Sequence, residues 1–144
     1  MDMPLMTKTT VKVRFSEVDL MGIVWHGQYI KYFEDGREDF GNKFGINYLD
    51  FNKNDFVVPI VKIECNYKKP LVYGDTVMVE TRFIDCDAAK LIFNYTLYKG
   101  INHEIIATGL STQVFMSLQH ELLLNFPPFF LEWKKKNGLI TSSR

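Results

Sequence analysis

Hydrophobic and polar residues alternate in several stretches of the chain, and this period of two predicts β-strands. The first stretch, 9–15, places Val11, Val13 and Phe15 on one face and basic residues on the other. The same period recurs in four later stretches, 57–69, 75–84, 91–99 and 105–117. Pro70 ends the second stretch, and short hairpin-like breaks separate the last three. The pattern therefore predicts one strand near the start of the chain and about four antiparallel strands between residues 57 and 117.

The segment between the first two strands has helical spacing instead. Apolar residues within 28–44 recur at intervals of three, four and seven, and Gly45 supplies a C-terminal stop. Gly36 falls on the apolar side of this helix, where the missing side chain lets another backbone approach closely. A second, shorter helix is predicted over 127–136, because two prolines open it.

This order of elements predicts an α+β fold in which an antiparallel sheet wraps around one long helix. A single helix with a full apolar face needs a surface that buries it, and a strongly twisted sheet provides one. No repeat or linker divides the chain, and 144 residues suit one compact unit, so residues 1–144 are expected to form a single domain. The outer strand of such a sheet is left open, and a dimer that pairs edges or faces is one way to cover it.

Composition narrows the class of protein further. Aromatic residues make up 15% of the chain, which excludes a disordered or collagen-like polypeptide. The 17 basic and 17 acidic side chains balance, so no basic excess is left for a nucleic acid. No stretch of about 18 apolar residues is available to span a bilayer, and the start of the chain does not resemble a secretory signal. We therefore expect a cytoplasmic protein in which Cys65 and Cys86 are ordinary thiols.

The common catalytic motifs are absent from this sequence. It contains no GxSxG elbow, no glycine-rich phosphate loop before a lysine, no HExxH and no CxxC. The histidines His26, His103 and His120 lie far apart and lack the spacing of metal ligands. We expect neither a metal site nor a cofactor.

Asp19 is the most promising candidate for chemistry. It lies between the first strand and the long helix, and most of its sequence neighbours are apolar. A carboxylate that is poorly hydrated becomes a better base or nucleophile, and the first amides of a helix lack intrahelical acceptors. The alternative is that Asp19 only caps a turn. His26 is open to the same question, because it is either a packed or capping ring or a functional group.

The residues around Asp19 resemble a known family. Asp19 to Tyr29, DLMGIVWHGQY, is similar to the signature D-x-x-G-[IV]-[VL]-[YWF]-[HYP]-x-x-Y of hotdog-fold thioesterases of the 4-hydroxybenzoyl-CoA thioesterase family. The histidine variant of this motif is nearer to the small bacterial acyl-CoA thioesterases. Other matching positions extend the resemblance over most of the chain: Arg14-Phe15, Tyr32-Phe33-Glu34, Asn66-Tyr67-Lys68-Lys69-Pro70 and Gly74-Asp75.

The resemblance implies a hotdog fold and an acyl-CoA thioesterase that releases free acid and CoA. Asp19 would be the catalytic carboxylate, acting as nucleophile or general base. The amide at His26 would open the helix and polarise the thioester carbonyl, and the His26 side chain is the natural second catalytic group. The family pattern also implies a homodimer or homotetramer with sites between subunits. Two positions depart from the family, because Gly36 stands where alanine is frequent and Gln28 where asparagine is frequent.

Further residues are candidates for substrate binding. Within the motif these are Gly22, Val24, Trp25 and Tyr29, although aromatic residues at a helix start are also common in cores. Lys68, Lys69 and the basic run 134–136 are candidates to meet the CoA phosphates, the alternative being a solvated charged surface. Glu17 is interpreted as a solvated residue at a strand end rather than as a second catalytic carboxylate.

Three functions compete on the sequence alone. The first is an acyl-CoA thioesterase or, more broadly, an acyl-thioester hydrolase that also accepts an acyl carrier protein as the thiol carrier. The second is a hotdog hydratase or dehydratase, which needs an aspartate and a histidine arranged for proton transfer to carbon. The third is a non-catalytic hotdog protein that binds an acyl ligand or a partner protein. The motif around Asp19 favours the first.

Overall fold

A computed structural model describes residues 5–100 and 102–139 of the chain. Within these ranges the helices are α1 (Gln28–Phe44), α2 (Tyr48–Lys53) and α3 (Pro128–Lys136). The strands are β1 (Met6–Lys12), β2 (Phe56–Val57), β3 (Ile60–Tyr67), β4 (Thr76–Ile84), β5 (Lys90–Lys99), β6 (Glu104–Val114) and β7 (Met116–Ser117). A single turn of 3-10 helix follows β1 at Phe15–Glu17.

The main sheet has five strands in the order β1-β4-β5-β6-β3, and every neighbouring pair is antiparallel. Strands β4, β5 and β6 form a consecutive meander, whereas β1 and β3 add to its two sides and form the edges. Strands β2 and β7 pair separately as a short ribbon. The α+β class with an antiparallel sheet, predicted from the sequence, is confirmed.

Helix α1 packs on this sheet through its apolar face. Its bounds agree with the predicted 28–44, and Gly45 ends it in the left-handed conformation at φ 76°, which favours glycine. Phe33 stacks on Tyr95 of β5 with ring centroids 4.6 Å apart, and all atoms of both side chains are buried. The face of α1 that points to the sheet is therefore part of the aromatic core.

Gly36 marks the closest approach of α1 to the sheet. A Cβ atom at this position would overlap Thr81 Oγ1 and would lie 2.6 Å from Val79 Cγ1, both on β4. Thr81 and Val79 are fully buried, so neither side chain has free space into which it can move. The close helix–sheet contact predicted from Gly36 is thus present.

Three predictions about strands were wrong. The predicted strand 105–117 is divided into β6 and β7, and β7 pairs with β2 instead of joining the main sheet. Strand β1 ends at Lys12, and Phe15 lies in the 3-10 turn with 75% of its surface exposed, instead of on the inner face of a strand. The chain turns there because the Glu17 carboxylate accepts a hydrogen bond from the Arg14 amide at 2.8 Å. The predicted strand 57–69 is divided into β2 and β3, because Pro59 between them has no amide proton to donate.

Helix α2 was not predicted, although the sequence carried a local signal for it. Asn47 Oδ1 accepts from the Asp50 amide at 2.9 Å, and an Asp50 carboxylate oxygen accepts from the Asn47 amide at 3.0 Å. This reciprocal pair is a capping box, which begins a helix.

Helix α3 begins at Pro128, with Pro127 as the capping residue, close to the predicted start. Lys134 on this helix is buried, and its Nζ donates to the carbonyl oxygen of Cys86 at 2.9 Å and pairs with Asp85 at 2.8 Å. The same ammonium lies 4.3 Å from the centre of the Phe126 ring. Lys134 therefore fastens α3 to the turn between β4 and β5.

Cys65 and Cys86 are both free thiols and half-buried. Among residues 5–100 and 102–139, no helix is long and apolar enough to cross a membrane.

The contact at Gly36 generates a stability prediction. Gly36→Ala should lower the free energy of unfolding by about 1–2 kcal/mol, because an overpacking cost of about 2–3 kcal/mol outweighs the gain of about 1 kcal/mol in helix propensity. Adding Thr81→Ala should restore part of this loss, since it removes the atom that the new methyl group overlaps. Urea unfolding measures both variants, with Lys31→Ala at an exposed position of α1 as the control. A Gly36→Ala variant as stable as the wild type would contradict the prediction.

Candidate active site

Asp19 lies at the start of a tight chain reversal that precedes α1. Its amide donates to the Ile23 carbonyl at 2.8 Å, and its carbonyl accepts from the Gly22 amide at 2.9 Å. Gly22 has a φ of 80°, so the reversal needs a residue that adopts the left-handed conformation without strain. Val18 and Val24 pair on either side, which makes this segment a small hairpin.

The Asp19 carboxylate takes part in the same turn. Its Oδ1 atom accepts a hydrogen bond from the Met21 amide at 2.8 Å, a local arrangement that fixes the orientation of the side chain. In the described part of the chain, Oδ2 has no hydrogen-bond partner. The turn-capping role and a reactive oxygen are therefore compatible in this one residue.

The apolar neighbours of Asp19 do not enclose it within one chain. Leu20 and Met21 are fully or largely exposed, and Asp19 itself is half-buried. The poorly hydrated environment suggested by the sequence is thus absent from the single chain, because these apolar side chains point away from its core. A substrate or a second subunit would have to supply it.

Glu17 connects the hairpin to α1. Its Oε1 accepts from the Tyr32 hydroxyl at 2.8 Å as well as from the Arg14 amide, and its Oε2 accepts from Gln28 Nε2 at 3.2 Å. The Glu17 carbonyl also accepts from the Trp25 amide at 2.9 Å. The interpretation of Glu17 as a solvated strand-end residue was wrong, because these contacts link residues that are distant in sequence.

The chain makes one further turn before α1 begins. Gln28 is the first helical residue and Gly27 is the capping residue, so the helix begins two residues after the implied start at His26. The Gln28 amide donates to the Trp25 carbonyl at 2.9 Å. The amides of His26 and Gly27 have no acceptor among the described residues, and both are available to a ligand.

Aromatic side chains surround this turn. The Trp25 ring is half-exposed and lies 5.1 Å from the His26 ring. Gly27 lies against the Trp25 ring, and a Cβ atom at position 27 would overlap the indole. Tyr67, at the end of β3, donates its hydroxyl to the His26 carbonyl at 2.8 Å. The sequence did not predict that Tyr67 contacts this turn, since 41 residues separate the two partners.

The structure places the other predicted binding residues in different surroundings. Gly22 and Trp25 are exposed beside the turn, whereas Val24 and Tyr29 are buried in the core with 4% and 3% of their surfaces accessible. The Val24 amide donates to the Leu71 carbonyl at 2.8 Å. A direct side-chain contact between substrate and Val24 or Tyr29 therefore has no support from the single chain.

The basic residues predicted to meet the CoA phosphates also lie in different surroundings. Lys68 is exposed, and Lys69 forms an ion pair with Glu104 across to β6, which lowers the pKa of the Glu104 carboxyl. Lys135 pairs with Glu132 at 3.9 Å. For Lys134 both earlier interpretations were wrong, because its buried ammonium is neither solvated nor free for a phosphate.

An open groove of about 850 Å³ lies elsewhere on the chain and does not include the Asp19 turn. It runs between the second half of α1, helix α2 and the segment 57–60, and Glu34, Asp35 and Glu38 give it an acidic side. Partial burial, and then the nearby Glu38, raise the pKa of Asp35. Within residues 5–100 and 102–139, no group of three or more histidine, cysteine or acidic side chains is placed to hold a metal ion.

Comparison with known proteins identifies the class. Residues 13–134 match the family model described as the thioesterase-like superfamily. YneP from Bacillus subtilis, whose name describes a candidate acyl-CoA thioesterase, is 32% identical over 127 residues, covering 88% of this chain and 91% of YneP. The chain therefore belongs to the thioesterase-like superfamily, and its enzyme class is that of a thioester hydrolase with the hotdog fold.

Two further relatives give the range of this class. The crystal structure of a DHNA-CoA thioesterase from Staphylococcus aureus superposes with a TM-score of 0.80 at 25% identity, covering 93% of this chain and 92% of that one. The acyl-acyl carrier protein thioesterase ATL3 from Arabidopsis thaliana is 30% identical over 96 residues, which are 67% of this chain and 50% of ATL3.

The link between Glu17 and Tyr32 generates a pH prediction. Burial, and then the bond to Glu17, raise the pKa of Tyr32 above its ordinary value of about 10. The unfolded chain therefore loses this proton at lower pH than the folded chain, so the contribution of Tyr32 to stability is present below about pH 10 and is lost as the pH rises further.

Tyr32→Phe should accordingly lose less unfolding free energy than the wild type between about pH 9 and pH 11. Urea unfolding across this range measures how steeply the free energy of unfolding falls with pH in both proteins. Tyr48→Phe, at an exposed site on α2, should keep the wild-type slope. Parallel slopes for Tyr32→Phe and the wild type would contradict the prediction.

Proposed function

We propose that this chain hydrolyses acyl-CoA thioesters, with Asp19 as nucleophile or general base and the free amide at His26 as donor to the developing oxyanion. The observation that carries the proposal is the hairpin that precedes α1. It holds a carboxylate with one unbonded oxygen, and it leads into a turn in which the amides of His26 and Gly27 have no acceptor in the described residues.

So small a set of groups suits the chemistry of a thioester. The leaving thiolate resembles that of cysteine, with a pKa of about 8.5, so it departs without strong general-acid help. The reaction needs an attacking oxygen and stabilisation of the negative charge on the former carbonyl oxygen. Asp19 either supplies the attacking oxygen or activates the water that supplies it, and the amides of His26 and Gly27 meet the second requirement.

Two routes are consistent with the role of Asp19. In one, its carboxylate attacks the carbonyl carbon, the C–S bond breaks with the electron pair on sulfur, and water hydrolyses the resulting anhydride. In the other, Asp19 takes a proton from water, and the hydroxide so formed attacks. Both routes release the same free acid and CoA.

The similarity to YneP and to the Staphylococcus aureus enzyme supports CoA as the thiol carrier. The similarity to ATL3 supports acyl carrier protein as the alternative, although that relative is matched over only half its length. Exposed Lys68 is the candidate to contact a CoA phosphate, as a point charge. Lys69 would first have to leave Glu104.

A homodimer is part of this proposal, because the single chain leaves the surroundings of Asp19 open. Leu20, Met21 and Trp25 expose apolar surface beside it. The two sheet edges differ in a way that favours β3 as the interface. On β1 the exposed side chains include Lys8 and Lys12, which oppose edge-to-edge pairing. Strand β3 exposes Ile60, Val61 and Tyr67, and the charge of its exposed Lys62 is paired with Glu64 at 3.2 Å.

The first prediction from the proposed function concerns the Asp19 carboxylate. Asp19→Asn should remain folded but should lower kcat by at least about 100-fold, because the amide neither attacks nor takes a proton. Release of free thiol from a panel of acyl-CoA substrates measures this. Asp55→Asn, at an exposed position, is the matched control. Wild-type turnover by folded Asp19→Asn would contradict the assignment, and the non-catalytic alternative would gain if the wild type itself released no thiol.

The second prediction separates the two parts of His26. His26→Ala keeps the backbone amide and should retain substantial activity, whereas His26→Pro removes the N–H and should lose far more. An oxyanion donor is worth about 3–4 kcal/mol, which sets the scale of the difference. Circular dichroism and sedimentation verify that α1 and the oligomer survive the proline. Equal losses in two well-folded variants would assign the role to the imidazole instead.

The third prediction concerns assembly. Sedimentation at micromolar concentration should find a dimer or larger species for the wild type. Val61→Lys on β3 should weaken it, because a charge would enter the proposed interface, whereas Thr10→Lys on the opposite edge should not. A wild-type monomer that is fully active would overturn both the dimer and the shared site.

A further inference from the structure

The hydroxyl of Tyr67 forms a long-range contact beside the proposed site. It donates to the His26 carbonyl at 2.8 Å, joining the end of β3 to the turn that precedes α1. The same carbonyl also accepts from the Tyr29 amide, but at the longer distance of 3.4 Å. The hydrogen bond from the Tyr67 hydroxyl is therefore the shorter of the two that hold this peptide group.

The carbonyl of His26 belongs to the same peptide unit as the amide of Gly27. This peptide is trans, as are all the described peptide bonds, so its C=O and N–H point in opposite directions. A group that fixes the carbonyl from one side consequently fixes the direction of the Gly27 N–H on the other. That N–H meets no acceptor in residues 5–100 and 102–139.

The surroundings of Tyr67 hold its ring in place. Its ring packs edge-on against Tyr29 at 4.9 Å and lies 6.5 Å from the His26 ring, also edge-on. Partial burial, and then the neighbouring Cys65 thiol, raise the pKa of Tyr67 to about 12. The phenol thus stays protonated at neutral pH and remains a donor to the carbonyl.

We propose that Tyr67 is a positioning residue that orients and polarises the His26–Gly27 peptide, so that the Gly27 amide acts as a second oxyanion donor beside the amide of His26. This inference rests on the thioesterase function proposed above. A hydrogen bond to a peptide carbonyl polarises the whole amide group and strengthens its N–H as a donor. Fixing the group before reaction also removes the cost of orienting it when charge develops.

Gly27 has the properties that such a donor needs. Its φ of −68° is ordinary helical geometry, so glycine is not required there for backbone conformation. A Cβ atom there would overlap the Trp25 ring in its present position, and glycine avoids this collision. The Gly27 N–H has no acceptor among the described residues, so it is free to donate to a ligand.

The test uses Tyr67→Phe, which removes only the hydroxyl, with Tyr98→Phe on β5 as the matched control. In Tyr67→Phe we expect kcat to fall about tenfold, less than for loss of a donor itself, while KM stays within about twofold. Sedimentation of both variants verifies that the oligomer is unchanged. Tyr98→Phe should match the wild type in both constants.

A second readout does not depend on turnover. In ¹H–¹⁵N spectra of the ligand-free protein, the Gly27 amide proton should move upfield in Tyr67→Phe, because its peptide loses polarisation, and should stay in place in Tyr98→Phe. An unmoved Gly27 resonance would overturn the inference whatever happens to kcat.

The kinetic outcomes separate the two proposals. If the wild type turns over acyl-CoA and Tyr67→Phe keeps its kcat, the positioning role is overturned and the thioesterase proposal stands. If the wild type releases no thiol from any acyl-CoA or acyl carrier protein substrate, the proposed function fails, and the positioning role of Tyr67 fails with it.

Discussion

The geometry of the candidate site depends on the carboxylate of Glu17. This one group accepts hydrogen bonds from the backbone at Arg14, from Tyr32 and from Gln28, and so joins the 3-10 turn to the first turns of α1. A half-buried carboxylate is stable there because charged acceptors make strong hydrogen bonds, worth about 1.5–3 kcal/mol each. Asp19 follows two residues later, so its position relative to α1 depends on this anchor.

Asp19 and Glu17 illustrate how two nearby carboxylates acquire different roles. Glu17 uses both oxygens within the protein, whereas Asp19 uses one oxygen for its own turn and leaves the other free in the described chain. A fully bonded carboxylate is a poor nucleophile, because attack would require breaking the bonds that hold it. The distribution of hydrogen bonds, rather than the residue type, therefore separates the structural acid Glu17 from Asp19, the acid that we propose to be reactive.

The sequence predicted the elements whose signals are local, and missed those whose partners are distant. Helix α1 follows from its apolar spacing and from Gly45, and the Asp19 motif could be identified from adjacent residues. By contrast, a basic run near the end of the chain does not reveal that Lys134 pairs with Asp85, and alternation does not reveal that Phe15 turns outward. The Tyr67–His26 contact is of the same kind. Helix α2 is the exception, because its capping pair Asn47 and Asp50 is local.

The strand order has a consequence for how the molecule is assembled during folding. Strands β4, β5 and β6 are consecutive hairpins with short loops, so their contacts close at low entropic cost. Strand β1 must join β4 from about 70 residues away, as the pairing of Lys12 with Thr76 and Met6 with Arg82 requires. The hairpin carrying Asp19 is tethered to that late-joining strand. We therefore expect the meander to form early and the hairpin of the candidate site to become ordered among the last parts of the chain.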